Sequence, residues 1–383
     1  MKVLICGEAY GANEAQHNHP LVGASGHELV RLLNQAGLAP PLPGKFPPPE
    51  RMIEYWRDLR QSHSIGVTNV FNKRPPGNQI EAFFGTTGDR TLPALKKGKY
   101  VLHEHLPELD RLAQEIKDAR PNLIIALGNS ACWYFLRTTP KISSIRGYVN
   151  YSHPDYGVDD NLPYVKVIPT YHPAFILRDW SLRTIVLKDL IKASREQHFP
   201  EIRRIPRHFV AQTPGSRMTL SEIKSWFNRP AERYAVDIET GYALYSKLEI
   251  EKMTTKMAFL ISEQISMVSF ARNEHDALIV PIMDRNEPGL SCWPPEDEIQ
   301  VWRILRRALQ TPVPKVFQNG IFDISFFLRL GIVPRACTDD TMLRHHAMFP
   351  ELPKALGFLG SIYTEDISWK QAYGNRESFK RDE

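Results

Sequence analysis

The feature that most restricts what this chain can become is the alternation of short apolar runs with amphipathic stretches across its first half. MKVLICG (1–7), SIGVTNVF (64–71), NLIIALG (122–128) and YVKVIPTYHP (164–173) have the length and β-branched content of strands. HELVRLLNQAG (27–37), LPELDRLAQEIKDA (106–119) and SLRTIVLKDLIKASREQ (181–197) carry apolar residues at helical spacing. Such alternation predicts a parallel sheet with helices on both faces, a three-layer αβα domain. Ligands of such sheets bind beyond the carboxyl ends of the strands. Glu8, Asn69, Asn129 and His172 each follow an apolar run at such an end.

The chain has 383 residues, more than one ordinary core accommodates, and two domains are expected. The proline-rich APPLPGKFPPPE (39–50) reads as an inserted surface loop leading into the helix MIEYWRDLRQ. Residues 1–200 form the first domain in this reading. The basic, aperiodic stretch 201–218 is a linker, and 219–383 the second domain. That second half opens with a helix, TLSEIKSWFN, then three strands, YAVDIET, ISMVSFAR and DALIVPIM. It continues with a helix (PEDEIQVWRILRRALQ), a strand (PKVFQNG) and two more helices (IFDISFFLRLG, TMLRHHAMF). This order predicts a mixed sheet flanked by helices.

No apolar run approaches the ~20 residues that span a bilayer, and the N-terminal run is too short for a signal-peptide core. A cytoplasmic protein, of a bacterial or phage-infected cell, is expected. The four cysteines (Cys6, Cys132, Cys292, Cys337) are scattered, with no C-x-x-C pair, so neither a disulfide framework nor a structural zinc site is indicated. A net charge of +5 is compatible with a nucleic-acid partner and does not require one.

Asp237 and Glu239 stand two apart in YAVDIET, so both carboxylates leave one face of the strand. Crowded like charges at the end of an apolar run favour a cation between them, and Mg2+ or Mn2+ prefers such oxygen donors. FQNGIFD then places Asn319 at a strand end and Asp323 in the first turn of a helix, where Asp323 can join the same ion. Asn319 either caps the helix or orients substrate.

Together, DIET followed by N-x3-D resembles the first two motifs of the DEDD-type 3′–5′ exonucleases. The segment 338–366 resembles the corresponding part of the proofreading domains of phage and bacterial family A DNA polymerases. The resemblance implies a ribonuclease-H-like fold, Asp237, Glu239 and Asp323 as metal ligands, and a substrate with a DNA 3′ end. Asp340 belongs to the resemblance without being a ligand. The third motif of that family, Y-x3-D or H-x4-D, is matched in spacing only by Tyr373-Gly-Asn-Arg-Glu377, which ends in glutamate. The missing carboxylate implies either the N-terminal part of a longer polymerase or a variant with an incomplete site.

In the first half, GEAYGANE (7–14), HPLVGASGHELVRLL (19–33), VTNVFNKRPPGN (67–78), ALGNSA (126–131), IRGY (145–148) and TYHPAFILR (170–178) occur in order. This set resembles the uracil-DNA glycosylases of the iron–sulfur type, family 4. The resemblance implies that Asn69 reads the edge of a flipped base and that His172 stabilises charge on the departing base. Glu8 and Glu14 would polarise water or oppose a cationic sugar. It further implies that Ala9, Tyr10, Gly11, Leu21, Arg74 and Asn129 contact nucleic acid, that Ile176 wedges into the helix, and that Arg178 meets a phosphate. The departures are Tyr10 for proline, Ala15 for an acid, Leu21 for the phenylalanine that stacks on the base, and Ala174 for serine. The cluster cysteines are also absent: Lys73 stands at one of their positions, and the helix near His103–His105 lacks another. A cluster needs its thiolates, so no iron–sulfur cluster is expected.

The leading expectation is therefore a DNA replication or repair protein, with DNA as partner, single-stranded or at 3′ ends, alongside a polymerase domain or other replication proteins. The alternatives are a non-catalytic module that grips DNA or senses uracil, and a glycosylase for another modified base.

Overall fold

The computed structural model describes residues 1–95, 98–137, 141–157, 163–203, 206–212 and 217–366. Tyr373–Glu377 lies outside them. The chain forms two compact units, one of residues 1–203 joined by 357–366, the other of 206–356.

In the first unit, strand β1 (Val3–Ala9) is followed by helices α1 (Ala12–His17), α2 (Ala24–Gln35) and α3 (Pro49–His63), then β2 (Ile65–Phe71). A small pair, β3 (Phe84–Gly85) and β4 (Tyr100–Val101), precedes α4 (Leu106–Ala119), β5 (Leu123–Leu127), α5 (Asn129–Leu136) and α6 (Ile142–Ile145). Then come β6 (Asn150–Tyr151), β7 (Lys166–Thr170), α7 (Pro173–Ile176) and α8 (Leu182–Glu196). The sheet order is β2-β1-β5-β7-β6, parallel except for the antiparallel edge strand β6. Alternate residues of β1 enter different cores. Val3 and Ile5 pack under α2, α3 and α8, whereas Leu4 and Cys6 pack with α4 and α5. A strand covered on both faces must be apolar throughout, which is why these runs read continuously rather than alternating. The three-layer αβα expectation holds.

The second unit begins at β8 (His208–Val210), inside the stretch expected to be a linker, and continues with α9 (Leu220–Phe227) and β9 (Tyr234–Thr240). Next come α10 (Lys247–Lys252), α11 (Thr255–Ser262), β10 (Ile265–Asn273), β11 (Asp276–Pro281), α12 (Pro295–Gln310), β12 (Lys315–Phe317) and α13 (Gly320–Arg329). It closes with β13 (Cys337–Asp340) and α14 (Thr341–Met348), followed by α15 (Leu356–Tyr363). The mixed sheet runs β13-β12-β9-β10-β11-β8, with β10 antiparallel to both neighbours. Here β9 alternates: Val236 and Ile238 enter the core while Asp237 and Glu239 face outward. Helices α10 and α11 were not legible in the sequence, although Ser246 with Glu249 and Thr254 cap their starts.

From Gly357 onward α15 belongs with the first unit. Buried Arg146 pairs with Asp189, at 2.9 Å from Nε, and donates from Nη1 to Ser361 Oγ at 2.9 Å. Lys192 Nζ donates to the carbonyls of Gly147, Ser361 and Thr364 at 2.6–2.7 Å, and its burial pushes its pKa down to about 8. Gly147 has φ +72, and a Cβ there would lie 2.5 Å from Asp189 Oδ1 and 2.9 Å from the Ser361 carbonyl. Breaking such a buried pair costs about 3–5 kcal/mol.

Candidate functional site

The parallel register of the first sheet decides which residues meet. Gly7 on β1 pairs with Asn69 on β2, and β7 ends at Thr170, two residues before His172. A Cβ on Gly7 would lie 2.3 Å from Asn69 Oδ1 and 3.7 Å from His172 Nε2. Asn69 and His172 therefore converge over a bare stretch of backbone. The expectation drawn from GEAYG named Ala9, Tyr10 and Gly11 and passed over Gly7. The clue was only that a glycine interrupts an otherwise apolar strand.

His172 begins α7, and its Nδ1 accepts the Ala174 N–H at 3.2 Å. An accepting Nδ1 leaves Nε2 as the protonated nitrogen of a neutral ring. Burial lowers the pKa of His172, against the opposing influence of the Glu8 and Glu14 carboxylates. The ring accordingly presents an N–H beside Asn69 without carrying charge.

Buried Asn69 is braced from behind. Arg111 of α4 donates from Nη2 to the carbonyls of Asn69 (2.8 Å) and Val70 (3.2 Å), and from Nη1 to Thr68 Oγ1 (3.2 Å). Glu115 and Glu108 hold the guanidinium at 2.7 and 3.0 Å, and Glu108 also accepts the Asn72 N–H at 3.0 Å and pairs with Lys73 at 3.6 Å. Tyr10, buried, joins the opposite loop to this one through its N–H to the Lys73 carbonyl (3.1 Å).

The two carboxylates of the motif sit on backbone amides. Glu8 Oε1 accepts the Ser130 N–H (3.0 Å) at the start of α5, where Gly128 at φ +87 leaves it room. Glu14 Oε1 accepts the Gly23 N–H (2.9 Å) at the start of α2, close against Gly11. Asn129 uses its Oδ1 to accept the Ile142 N–H (3.1 Å), and Arg74 is exposed.

Two expected contacts are corrected. Ile176 is 0% exposed and lies in the core, because the HPA turn continues as α7 and points its last residue inward. It cannot wedge into DNA from there. The exposed apolar residues of this turn are Phe175 and Leu177, with Arg178 stacked 4.8 Å from the Phe175 ring. Leu21 is also a core residue, held at φ +57 with its carbonyl accepting Trp56 Nε1 at 3.0 Å, so it offers no face to a base.

The residues of this unit do not fit an iron–sulfur cluster. Residues 1–203 contain two cysteines, Cys6 and Cys132, both buried in the core with thiols pushed upward by burial. Lys73 is engaged with Glu108 instead.

In the second unit Asp237 and Glu239 leave the same face of β9. Asp323 approaches from α13 with Oδ1 accepting the Ile238 N–H at 2.9 Å. Desolvation, with the Asp323 and Glu239 charges, pushes Asp237 up to about 7, and desolvation pushes Asp323 up to about 6. Hard oxygen donors raised in this way suit a divalent cation in kind. Among the described residues, however, no three acidic, histidine or cysteine side chains gather closely enough to hold one. Asn319 caps α13 at φ +61, its own N–H donating to Asp340 Oδ1 (3.2 Å). Asp340 also takes the N–H groups of Gly320, Met342 and Leu343, and these bonds lower its pKa against the effect of desolvation. It is a structural clasp between α13 and α14. His345 is buried on α14, a helix-face position rather than a ligand's.

Residues 1–197 match the family described as the uracil DNA glycosylase superfamily. The chain is similar to the type-4 uracil-DNA glycosylase of Thermotoga maritima, 26% identical over 195 residues, covering 50% of this chain and 76% of that protein. The type-4 enzyme of Saccharolobus solfataricus is 28% identical over 203 residues (50% and 69%), and that of Pyrobaculum aerophilum 28% over 192 (49% and 74%). Among solved structures, Escherichia coli RNase D, an exoribonuclease involved in structured RNA processing, is 16% identical with a TM-score of 0.27. The match covers 45% of this chain and 36% of that protein, and a likeness so slight carries no argument.

Proposed function

Because the chain belongs, through residues 1–197, to the uracil DNA glycosylase superfamily, we propose that its first unit excises uracil from DNA. The observation that carries this reading is the convergence of Asn69 and neutral His172 over Gly7. A flipped base must be read along its edge, and its departure leaves negative charge on a ring oxygen. The Asn69 carboxamide offers both a donor and an acceptor to that edge. The His172 Nε2–H, already aimed and uncharged, donates to the oxygen as charge develops, at no reorganisation cost. Glu8 and Glu14 supply negative potential opposite a cationic sugar, while their amide bonds keep them placed. Incubating the protein with a uracil-containing single strand, then alkali, tests this. Strand breaks that vanish in Asn69→Ala support excision, and binding without breaks refutes it.

The burial of Leu21 favours a second reading, in which the first unit grips DNA or senses uracil without turnover. A stacking ring is worth roughly 1–3 kcal/mol per base, and this position supplies none. A panel of modified bases in the same assay separates both readings from a glycosylase for another base.

For the second unit the reading is a 3′–5′ exonuclease, supported by Asp237 and Asp323, whose carboxyls desolvation and neighbouring negative charge push up, with Glu239 on the same face of β9. Asp237, Glu239 and Asp323 do not stand close enough as placed to enclose an ion; drawn together, they would hold Mg2+ or Mn2+, which when bound supplies Lewis acidity for hydrolysis of a 3′-terminal phosphodiester. Metal-dependent digestion abolished by Asp237→Ala is the expected result. Digestion that survives the substitution removes the assignment.

A further inference from the structure

Among the aromatic rings that the first unit exposes, Phe46 (68% exposed), Trp180 (63%) and Phe175 (52%) each lie against an arginine. Arg31 stands 5.2 Å from the Phe46 ring, Arg183 5.2 Å from Trp180, and Arg178 4.8 Å from Phe175. Lys45 adds a further cation 5.8 Å from Phe46.

These rings are not loose ends. Phe46 lies in the proline-rich stretch 39–50, which is fastened on both sides of the ring. Arg31 donates to the Lys45 carbonyl, His27 Nε2 bonds the Pro47 carbonyl at 2.9 Å, and Tyr55 OH donates to the Pro40 carbonyl at 2.7 Å. Trp180 sits in a turn fixed by Asp179, whose Oδ1 accepts the Ser181 N–H and hydroxyl at 3.1 and 2.6 Å. Buried Glu28 links the two, accepting Arg183 Nε at 2.8 Å and Arg31 Nη1 at 3.5 Å. The result is a continuous line, Phe46–Arg31–Glu28–Arg183–Trp180, on elements next to α7, which carries Phe175 and starts at His172. The acids on this line are engaged: Glu28 with both arginines and Asp179 with Ser181.

We infer that this line is a track for single-stranded DNA, its bases stacking on Trp180 and Phe46 and its phosphates meeting the arginines and Lys45. Fixed, solvent-facing rings interleaved with cations suit a flexible strand whose bases are unpaired, whereas a duplex keeps its base faces inside. The inference deepens the reading of the first unit as a DNA-acting domain and names the strand state it prefers.

The test is equilibrium binding of the full chain to uracil-free oligothymidylate and to a uracil-free duplex of equal length. Without uracil, the outcome does not depend on excision, and a failed excision assay leaves it standing. Trp180→Ala and Phe46→Ala should each weaken single-strand binding about tenfold, with a smaller effect on the duplex, and Trp180→Phe should restore it. Lys45→Gln should lower the slope of log affinity against log salt by about 0.7. Unchanged single-strand affinity in both alanine variants overturns the inference. So does an equal loss for duplex, which marks a phosphate-only surface. Self-association abolished by the alanine variants, with DNA binding intact, assigns the rings to a second copy of the chain and also overturns it.

Discussion

The two units place polar side chains at strand ends in opposite ways. At the first site each key residue is held by a neighbour: Asn69 by Arg111 on its main-chain carbonyl, His172 by an amide, Glu8 and Glu14 by helix starts. At the second, Asp237 and Asp323 crowd together with Glu239, and backbone amides answer Asp323. A site whose residues are held from behind, with a carboxamide and a ring N–H left to offer, suits the neutral, planar ligand proposed for it. A site with surplus negative charge is organised around something positive that must be supplied.

The largest effect expected from this contrast is at His172. His172→Ala should lower excision about 10²–10³-fold, the loss typical of a removed charge-stabilising donor, and a chelator should leave excision of the parent unchanged. If chelation stops excision, the contrast fails. Next is stabilisation of the second unit by metal. Mn2+ at a hundred times its dissociation constant should raise unfolding free energy by about 2.7 kcal/mol, read as a shift in Tm that Asp237→Asn removes. A Tm indifferent to Mn2+ breaks the comparison from the other side.

Arg111→Ala tests whether bracing matters at the first site. It should cost about 1.5–3 kcal/mol of stability and lower kcat for excision more than it raises KM, with Arg111→Lys recovering part. Loss of stability with unchanged kcat would make Arg111 a fold residue alone.

The smallest effects are in pH. Asp237 and Asp323 rise from 3.8 to about 7 and about 6 on folding, so the unfolded chain gives up these protons first. Metal-free stability is therefore fullest below pH 3.8 as far as these groups decide it, and is lost as pH rises through 6 to 7. Asp237→Asn should flatten that slope in pH-dependent melts. At the first site the depressed His172 keeps its ring neutral, so excision should hold through neutrality and fall only below the ordinary imidazole value of 6.5.

Strand ends were readable in advance because both sheets announce themselves by pattern: continuous apolar runs where both faces are covered, alternation in YAVDIET where one is not. That was enough to bring Asn69 near His172 and Asp237 near Glu239. What pattern does not carry is direction off a short turn. Ile176 and Phe175 are adjacent and both apolar, and only the path of α7 decides that one is buried and the other exposed. Gly7 escaped for a related reason, since the need for a missing Cβ arises where side chains from two other strand ends arrive. Arg111 looked like an ordinary charged position on an amphipathic helix, and its grip on the Asn69 carbonyl depends on α4 lying against β2.

The segment that Arg146 and Lys192 hold has a consequence for the order of events during synthesis. Residues 357–366 are made only after all of 206–356, so the carbonyls of Ser361 and Thr364 reach Lys192 late. At ~5–20 residues per second that interval is roughly ten to thirty seconds. During it Arg146 has Asp189 and Lys192 has the Gly147 carbonyl, but both lack the Ser361 and Thr364 oxygens that complete their shells. On the ribosome, the unit that is begun first is completed only after residues 206–356 have been made.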